Sequence, residues 1–392
     1  MSVITIGIEQ LEVGMYVLEI AEQRAGTVQI KSRGRVTSQA AIDELKRKGI
    51  LRVVIETDVE SGNSTSSQAL PIHQHLETTV PLTDELARAA KLYQQGLKIQ
   101  DSLYKAIQNG TQFDDYVPKE LSTALVGSLD RNPDALLLMT KIREKDSYLL
   151  EHSLNVGILL ANFARYLGLE EQEIERLAYS GLLHDLGKIK VDDAILHKPG
   201  RLTDGEMEEM KKHVTYGVEF LHQMRIDETL IKWVSEHHER LDGLGYPSQL
   251  SADQITRQGR MLAIVDMYDA LTADRCYKPG MSSQKALQIL LKDSKDKLDQ
   301  GLLQQFIRCM GIYPVGSLVE LSNNKVALVI KQNDKQPLRP CVRVFYSTAG
   351  NHYLPPKEVN LATDDRIKID KAVVASDYNI DINRFFHESV LP

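Results

Sequence analysis

Between residues 152 and 238 the chain sets seven of its eleven histidines, His152, His184, His197, His213, His222, His237 and His238, among stretches that otherwise read as apolar helices. A fold for this chain must therefore accommodate imidazoles on its helical core. The tightest constraint is the run LLHDLGK, where His184 and Asp185 interrupt an apolar pattern. A carboxylate in such a run is costly to bury unless a cation or a donor satisfies it. Neighbouring residues on a helix sit about 100° apart, so both side chains can reach one pocket. Lys188, four residues after His184 and three after Asp185, overhangs the same face. Taken alone, the pair reads as a capping or salt-bridged pair, with Gly187 and Lys188 marking a helix end.

The order of the other donors reverses that reading. His152 comes first, on a helix starting after Asp146. His213 follows in KKHVTYG, then His237 and His238 in IKWVSEHHERL, then Asp266, which interrupts the apolar run AIVDMYDALTA. Five helical segments each supply a metal-type side chain with an apolar flank. Together they predict a metal centre. Imidazole and carboxylate without thiolate suit Mn, Fe, Ni or Zn rather than an iron–sulfur cluster. His197 and His222 fall outside the pattern and are expected to be structural, as is Trp233 in the core. Asp242 and Asp269 are read either as partners that orient metal ligands or as surface and capping residues.

The chain is predicted to be mainly α, a helical bundle with a small α+β N-terminal module and a small β-rich C-terminal tail. Residues 1–58 hold the short strand patterns SVITIGI, GMYVLEI, GTVQIKS and LRVVIE, with a helix in SQAAIDELKRKGI between Ser38 as N-cap and Gly49 as stop. Residues 59–80 read as a Ser/Thr/Pro-rich linker in which His73 and His75 are solvated. Residues 81–134 form a helical connector, with Leu86, Ala90, Tyr93, Leu97, Leu103 and Ile107 near one stripe. The bundle spans 135–312. In the tail, 313–392, two alternating runs meet at Asn323-Asn324, a hairpin signal.

His152, the HD pair at 184–185, His213, the HH pair at 237–238 and Asp266 are spaced as in the HD superfamily of metal-dependent phosphohydrolases. HHERLDGLGYP resembles the extended signature of the HD-GYP subgroup, with Asp242, Gly243, Gly245, Tyr246 and Pro247 in its loop, and DMYDALTADRCYK resembles the motif that follows. The likeness covers about 135–312, and LEVGMYV and YPVGSLVELSNNKVALVI resemble the flanks of one bacterial branch. It implies an HD-type helical bundle that hydrolyses the second messenger cyclic di-GMP to linear pGpG, with a further cut to GMP left open. It also implies two divalent transition metals, Fe or Mn first, Ni or Zn next. Asp185 would bridge them, His152, His184 and Asp266 completing one site and His213, His237 and His238 the other. Metals about 3.5–4 Å apart lower the pKa of a shared water. By the same likeness Lys188 steadies the phosphate and helps protonate the leaving group, Arg275 and Lys278 hold substrate phosphates, and the GYP loop offers a contact surface for diguanylate cyclases. A third metal would need a Glu where this chain has Tyr148, and Glu151 is a poor substitute.

Composition narrows the partners. The net charge of −7, without a long basic run, argues against coating a nucleic-acid polymer. Three widely spaced cysteines, Cys276, Cys309 and Cys341, suggest no disulfide framework. The absence of a leader pattern or a long apolar span predicts a cytoplasmic protein with no membrane segment. The oligomeric state is left open. Two alternatives stand beside cyclic di-GMP hydrolysis: another cyclic dinucleotide such as cyclic GMP-AMP, or a sensor that binds without turnover. All seven ligand positions are filled, which speaks against the sensor.

Overall fold

The computed structural model describes residues 2–8, 11, 16–23, 34–36, 39–57, 78–111, 116–142, 148–273, 280–333 and 335–389. Contacts divide the chain into two compact units, Met1–Pro71 and Ile72–Pro392.

The first unit contains β1 (Ser2–Gly7), β2 (Tyr16–Gln23), β3 (Gly34–Arg35), α1 (Gln39–Arg47) and β4 (Ile50–Thr57). Its strands pair antiparallel in the order β1-β4-β2-β3. Val17, Ile42, Ile50 and Val53 are among the apolar side chains of its core. Gly49 takes φ +75° directly after α1, the left-handed stop that turns the chain into β4. Ser38 and the stretch GTVQIKS lie outside the described residues, as do His73, His75 and most of the linker.

The second unit begins with α2 (Leu82–Gln108), α3 (Tyr116–Arg131) and α4 (Pro133–Met139), followed by α5 (Tyr148–Tyr166) and α6 (Glu171–Leu183). It continues with α7 (Asp193–Leu196), α8 (Asp204–Lys211), α9 (His213–Gln223), α10 (Glu228–Ser235), α11 (Arg257–Thr272), α12 (Ser283–Asp293) and α13 (Gln300–Met310). Strands β5 (Leu318–Leu321), β6 (Lys325–Lys331), β7 (Cys341–Ser347), β8 (His352–Asn360) and β9 (Ile369–Val373) follow, then α14 (Ile382–Ser389). One apolar core runs from Leu86 on α2 to Phe386 on α14.

Helix α5 is the axis of this unit. Every residue from Glu151 to Ala164 is buried, as expected of a helix apolar on all faces. α6 crosses it closely, because a Cβ at Gly181 would stand 2.7 Å from the Cα of Gly157. On α2 the buried stripe is Glu85, Leu86, Ala89, Tyr93, Gly96, Gln100, Leu103 and Tyr104. The apolar period predicted Leu86, Tyr93 and Leu103, but Ala90, Leu97 and Ile107 are only half-buried. Glu85 and Gln100 are buried because they have polar partners, which an apolar period does not register.

The C-terminal strands form an antiparallel sheet in the order β8-β7-β6-β5-β9. The β5–β6 turn is at Asn323-Asn324, with Asn324 at φ +59°. Strand β8 and helix α14 were not read from the sequence. β8 carries Pro355 and Pro356, which cannot donate to a ladder; it is an edge strand, and the β7–β8 register shifts opposite them. No helix among the described residues is long and apolar enough to cross a membrane.

Candidate metal centre

His152 on α5 and Asp266 on α11 lie within continuous helices, whereas the other five donors sit at helix ends. α6 stops at Leu183; His184 is its C-cap, and Asp185, at φ −103° and ψ 8°, opens a 3-10 segment over Leu186–Lys190. α10 stops at Ser235, so His237 and His238 lie in the turn beyond it. The helix predicted through KKHVTYG is broken at Lys212, and α9 starts at His213. This corrects the expectation of continuous helices at the HD pair, His213 and the HH pair, while His152 and Asp266 are on helices as expected.

The breaks have a physical use. Carbonyls at helix ends lack intrahelical partners, and three imidazoles take them. Nδ1 of His184 donates to Gly181 O at 2.8 Å, that of His213 to Met210 O at 2.7 Å, and that of His237 to Val234 O at 2.5 Å. A carbonyl only accepts, so each Nδ1 carries a proton, and Nε2 is the nitrogen left to face the centre. His152 is held differently: its Nδ1 donates to Asp269 Oδ2 at 2.8 Å, and its Nε2 meets Asp266 Oδ1 at 3.0 Å. Of the two readings of Asp269, the structure shows the carboxylate that orients an imidazole.

Asp185 stands in the middle. Its Oδ2 is 3.5 Å from His152 Nε2, 3.4 Å from His184 Nε2 and 2.5 Å from Lys188 Nζ, while Oδ1 is 3.5 Å from His213 Nε2. Three donor sets, His213–His237–His238, His152–His184–Asp266 and His184–Asp185–His237, each have ligand atoms within 4.8 Å of one another and could hold a metal. His152, His184, Asp185, His213 and His237 are buried almost completely, Asp266 nearly so, and His238 is half-buried.

The approach of α9 depends on Gly187. A Cβ there would lie 1.8 Å from His213 O and 2.4 Å from Gly217 N. Any side chain would push the helix that begins at His213 away from Asp185.

The residues fit a divalent cation. His184 Nε2 and Asp185 Oδ1 are buried and meet no hydrogen-bond partner. Such atoms cost about 1–3 kcal/mol each when unpaired, and both are of the type a borderline cation takes. The buried charges of the centre act strongly on one another. Burial alone would raise Asp185, but the charges of His184 and Lys188 hold it well below the carboxylate range. Asp266 is likewise held down, its burial outweighed by His152 and His184. Burial would lower His184, yet Asp185 and Asp266 hold it up at about 10. On the other side burial wins: His213 falls to about 4 and His238 to about 3. Two ionised carboxylates, matched by His152, His184 and Lys188, thus face three neutral imidazoles.

Other side chains frame the centre. Tyr148 stacks on His152, centroids 5.8 Å apart and 9° between planes. Glu151, buried beside it, belongs to none of the three donor sets. Tyr246 lies 4.7 Å from the ring of His238, so the GYP loop reaches the centre itself. Glu239 holds that loop by accepting from Ser248 N at 2.6 Å and Leu250 N at 3.0 Å. Glu236 accepts from Thr256 N at 3.0 Å and ties the HH turn to the start of α11, which carries Asp266. Sequence reasoning missed both glutamates, although HHERL places them beside the donors. Gly243 takes φ +71° and Gly245 is buried. Asp242 is exposed and caps its own loop through Leu244 N, and Pro247 is exposed. His197 and His222 are exposed and join no donor set, whereas Trp233 is core. Arg275 and Lys278 lie outside the described residues.

A helical unit that gathers an HD pair and further imidazoles around one carboxylate is the hallmark of the HD domain, and residues 137–302 match that family. The flanks match a domain of unknown function, DUF3391, over 3–114 and a KOW domain associated with HD domain over 318–380. A cyclic di-GMP phosphodiesterase of Pseudomonas aeruginosa is 31% identical over 366 residues, 91% of this chain and 88% of that protein. The chain belongs to the HD-GYP family of HD-domain phosphodiesterases. A 3'3'-cGAMP-specific phosphodiesterase of Vibrio cholerae is 32% identical over 170 residues, 43% of this chain and 37% of that protein. A solved HDGYP protein of Bdellovibrio bacteriovorus covers 78% of this chain and 98% of its own, at TM-score 0.48 and 16% identity.

Proposed function

We propose that this protein hydrolyses cyclic di-GMP to linear pGpG at a centre of two divalent transition metals, Fe or Mn. One observation carries the reading: Asp185 lies between two donor trios, one oxygen facing each, within an HD domain. The whole-length likeness to a cyclic di-GMP phosphodiesterase supports that substrate over cyclic GMP-AMP, for which the likeness is partial.

In this reading His152, His184 and Asp266 hold one metal, His213, His237 and His238 the other, and Asp185 both. The metals, when bound, supply Lewis acidity, lowering the pKa of water and neutralising phosphate charge. The chain's own residues do the rest. The backbone carbonyls and Asp269 keep the Nε2 lone pairs aimed inward. Lys188, with Nζ 2.5 Å from Asp185, brings a cation to the phosphate side and can give a proton to the departing 3′ oxygen. Arg275 and Lys278 are assigned to the substrate phosphates. The GYP loop, whose Leu244 is 70% exposed, is assigned to diguanylate cyclase partners. A cytoplasmic location goes with this function.

The test is turnover of cyclic di-GMP and of cyclic GMP-AMP by protein reconstituted with Mn or Fe(II), beside Asp185→Ala. Cyclic di-GMP consumed faster, by the wild type alone, is the expected result. Binding without turnover would favour a sensor, and faster loss of cyclic GMP-AMP would change the substrate.

A further inference from the structure

Two polar side chains of α2 reach the corner that carries the HD pair. Gln100 Nε2 donates to Leu182 O at 3.0 Å, and Tyr104 Oη donates to Asp185 O at a longer 3.4 Å. Both carbonyls belong to the stretch where α6 gives way to the 3-10 segment; Asp185 O accepts from Lys188 N at 3.0 Å in that tighter turn, and Tyr104 adds a second, longer donor to it. Both side chains are buried, Gln100 at 1% and Tyr104 at 8% exposure. Gln100 is an expensive choice there, since its Oε1 is buried and accepts no hydrogen bond from the protein. An apolar residue would fill the space without that cost. What the glutamine adds is the bond to Leu182.

Their place in the chain matters too. Residues 100 and 104 fall outside the HD match at 137–302 and inside the DUF3391 match at 3–114. We infer that Gln100 and Tyr104 are positioning residues for the metal centre, holding from outside the HD segment the backbone corner that orients His184 and Asp185. The inference rests on reading Asp185 as a metal ligand. It makes α2 part of the catalytic apparatus and not a spacer before it.

The experiment strips the full-length protein of metal and titrates Co(II), following affinity and visible ligand-field absorption. Wild type, Gln100→Leu, Tyr104→Phe and the double variant are compared with Ser128→Ala. That control loses a buried hydrogen bond to Glu85, 2.7 Å long, on the same helix, about 22 Å from Gln100 at 1.5 Å per residue. The double variant should bind Co(II) about tenfold more weakly, the usual effect of removing an outer support, with a shifted absorption band. Ser128→Ala should lose thermal stability and keep both. If the double variant does not fold, Tyr104→Phe, which keeps the ring, must show the band shift. A folded variant with unchanged affinity and band would overturn the inference. Equal Co(II) binding by wild type and Asp185→Ala would instead overturn the reading of the centre, and this inference with it.

Discussion

Asp269 Oδ2 accepts the Nδ1 proton of His152 at 2.8 Å, and the other ring nitrogen thereby faces Asp266 Oδ1 at 3.0 Å. One carboxylate on α11 sets the ring and the other receives it, a single turn apart. Asp269→Asn keeps the shape and removes the charge. Metal affinity should fall about tenfold or more, measured by competition with a chromogenic chelator, while the far-UV circular dichroism stays unchanged.

Gly187 and Gly217 face each other and should respond in opposite ways. A methyl at Gly187 meets backbone at 1.8 Å, whereas at Gly217 the nearest atom is 3.4 Å away. Gly187→Ala should cost about 1–3 kcal/mol or more and reduce metal content. Gly217→Ala, inside α9, should be neutral or stabilising by up to about 1 kcal/mol. Urea denaturation and metal analysis of both variants check this.

Tyr246 should matter to the centre through its ring. Its contact with His238 is 4.7 Å between centroids. Tyr246→Phe should bind Mn like the wild type, and Tyr246→Ala should bind it several-fold more weakly by calorimetric titration. Equal affinity in all three would show that the loop leaves His238 alone.

Glu85 gives the fold an acid limb. Burial pulls its carboxyl up, but Arg131, bonded twice at 2.8 Å, and Ser128 outweigh this and hold it below its ordinary 4.5. A group lowered on folding contributes stability that is complete above its unfolded value and lost as pH falls through the folded one. The melting temperature should therefore decline below about pH 4.5, and less steeply in Glu85→Gln. Arg131→Ala, which leaves the buried carboxylate with Ser128 and the more distant Arg88, should cost about 2 kcal/mol near neutrality.

Metal removal should lower the melting temperature, because the cation binds the folded state alone. At a hundredfold excess over Kd the linkage is about 2.7 kcal/mol. Chelation followed by Mn addition should reverse the shift in wild type and leave Asp185→Ala unmoved.

The sequence by itself determined the ingredients of this protein. Its apolar periods specify helices, its Asn323-Asn324 turn specifies a hairpin, and residue types that tolerate burial only with a partner announce a metal centre. These are properties of local patterns, carried by spacing along the chain. What it did not disclose is where the helices stop. The apolar run continues through His184, yet the helix ends there, where α9 packs against Gly187 and α2 bonds the carbonyls of Leu182 and Asp185. Asp269 and Asp242 looked equivalent, each an acid near a motif; contact with His152 separates them. Gln100 reads as one more polar residue on a helix, and its meaning comes from a carbonyl 82 positions away. Burial, the partner of each polar atom and the distances of 3.4–3.5 Å from Asp185 to His152, His184 and His213 are relations across the fold. The tertiary structure alone decided them, because hydrogen bonds and charges act through space over a few ångströms, whatever the distance along the chain.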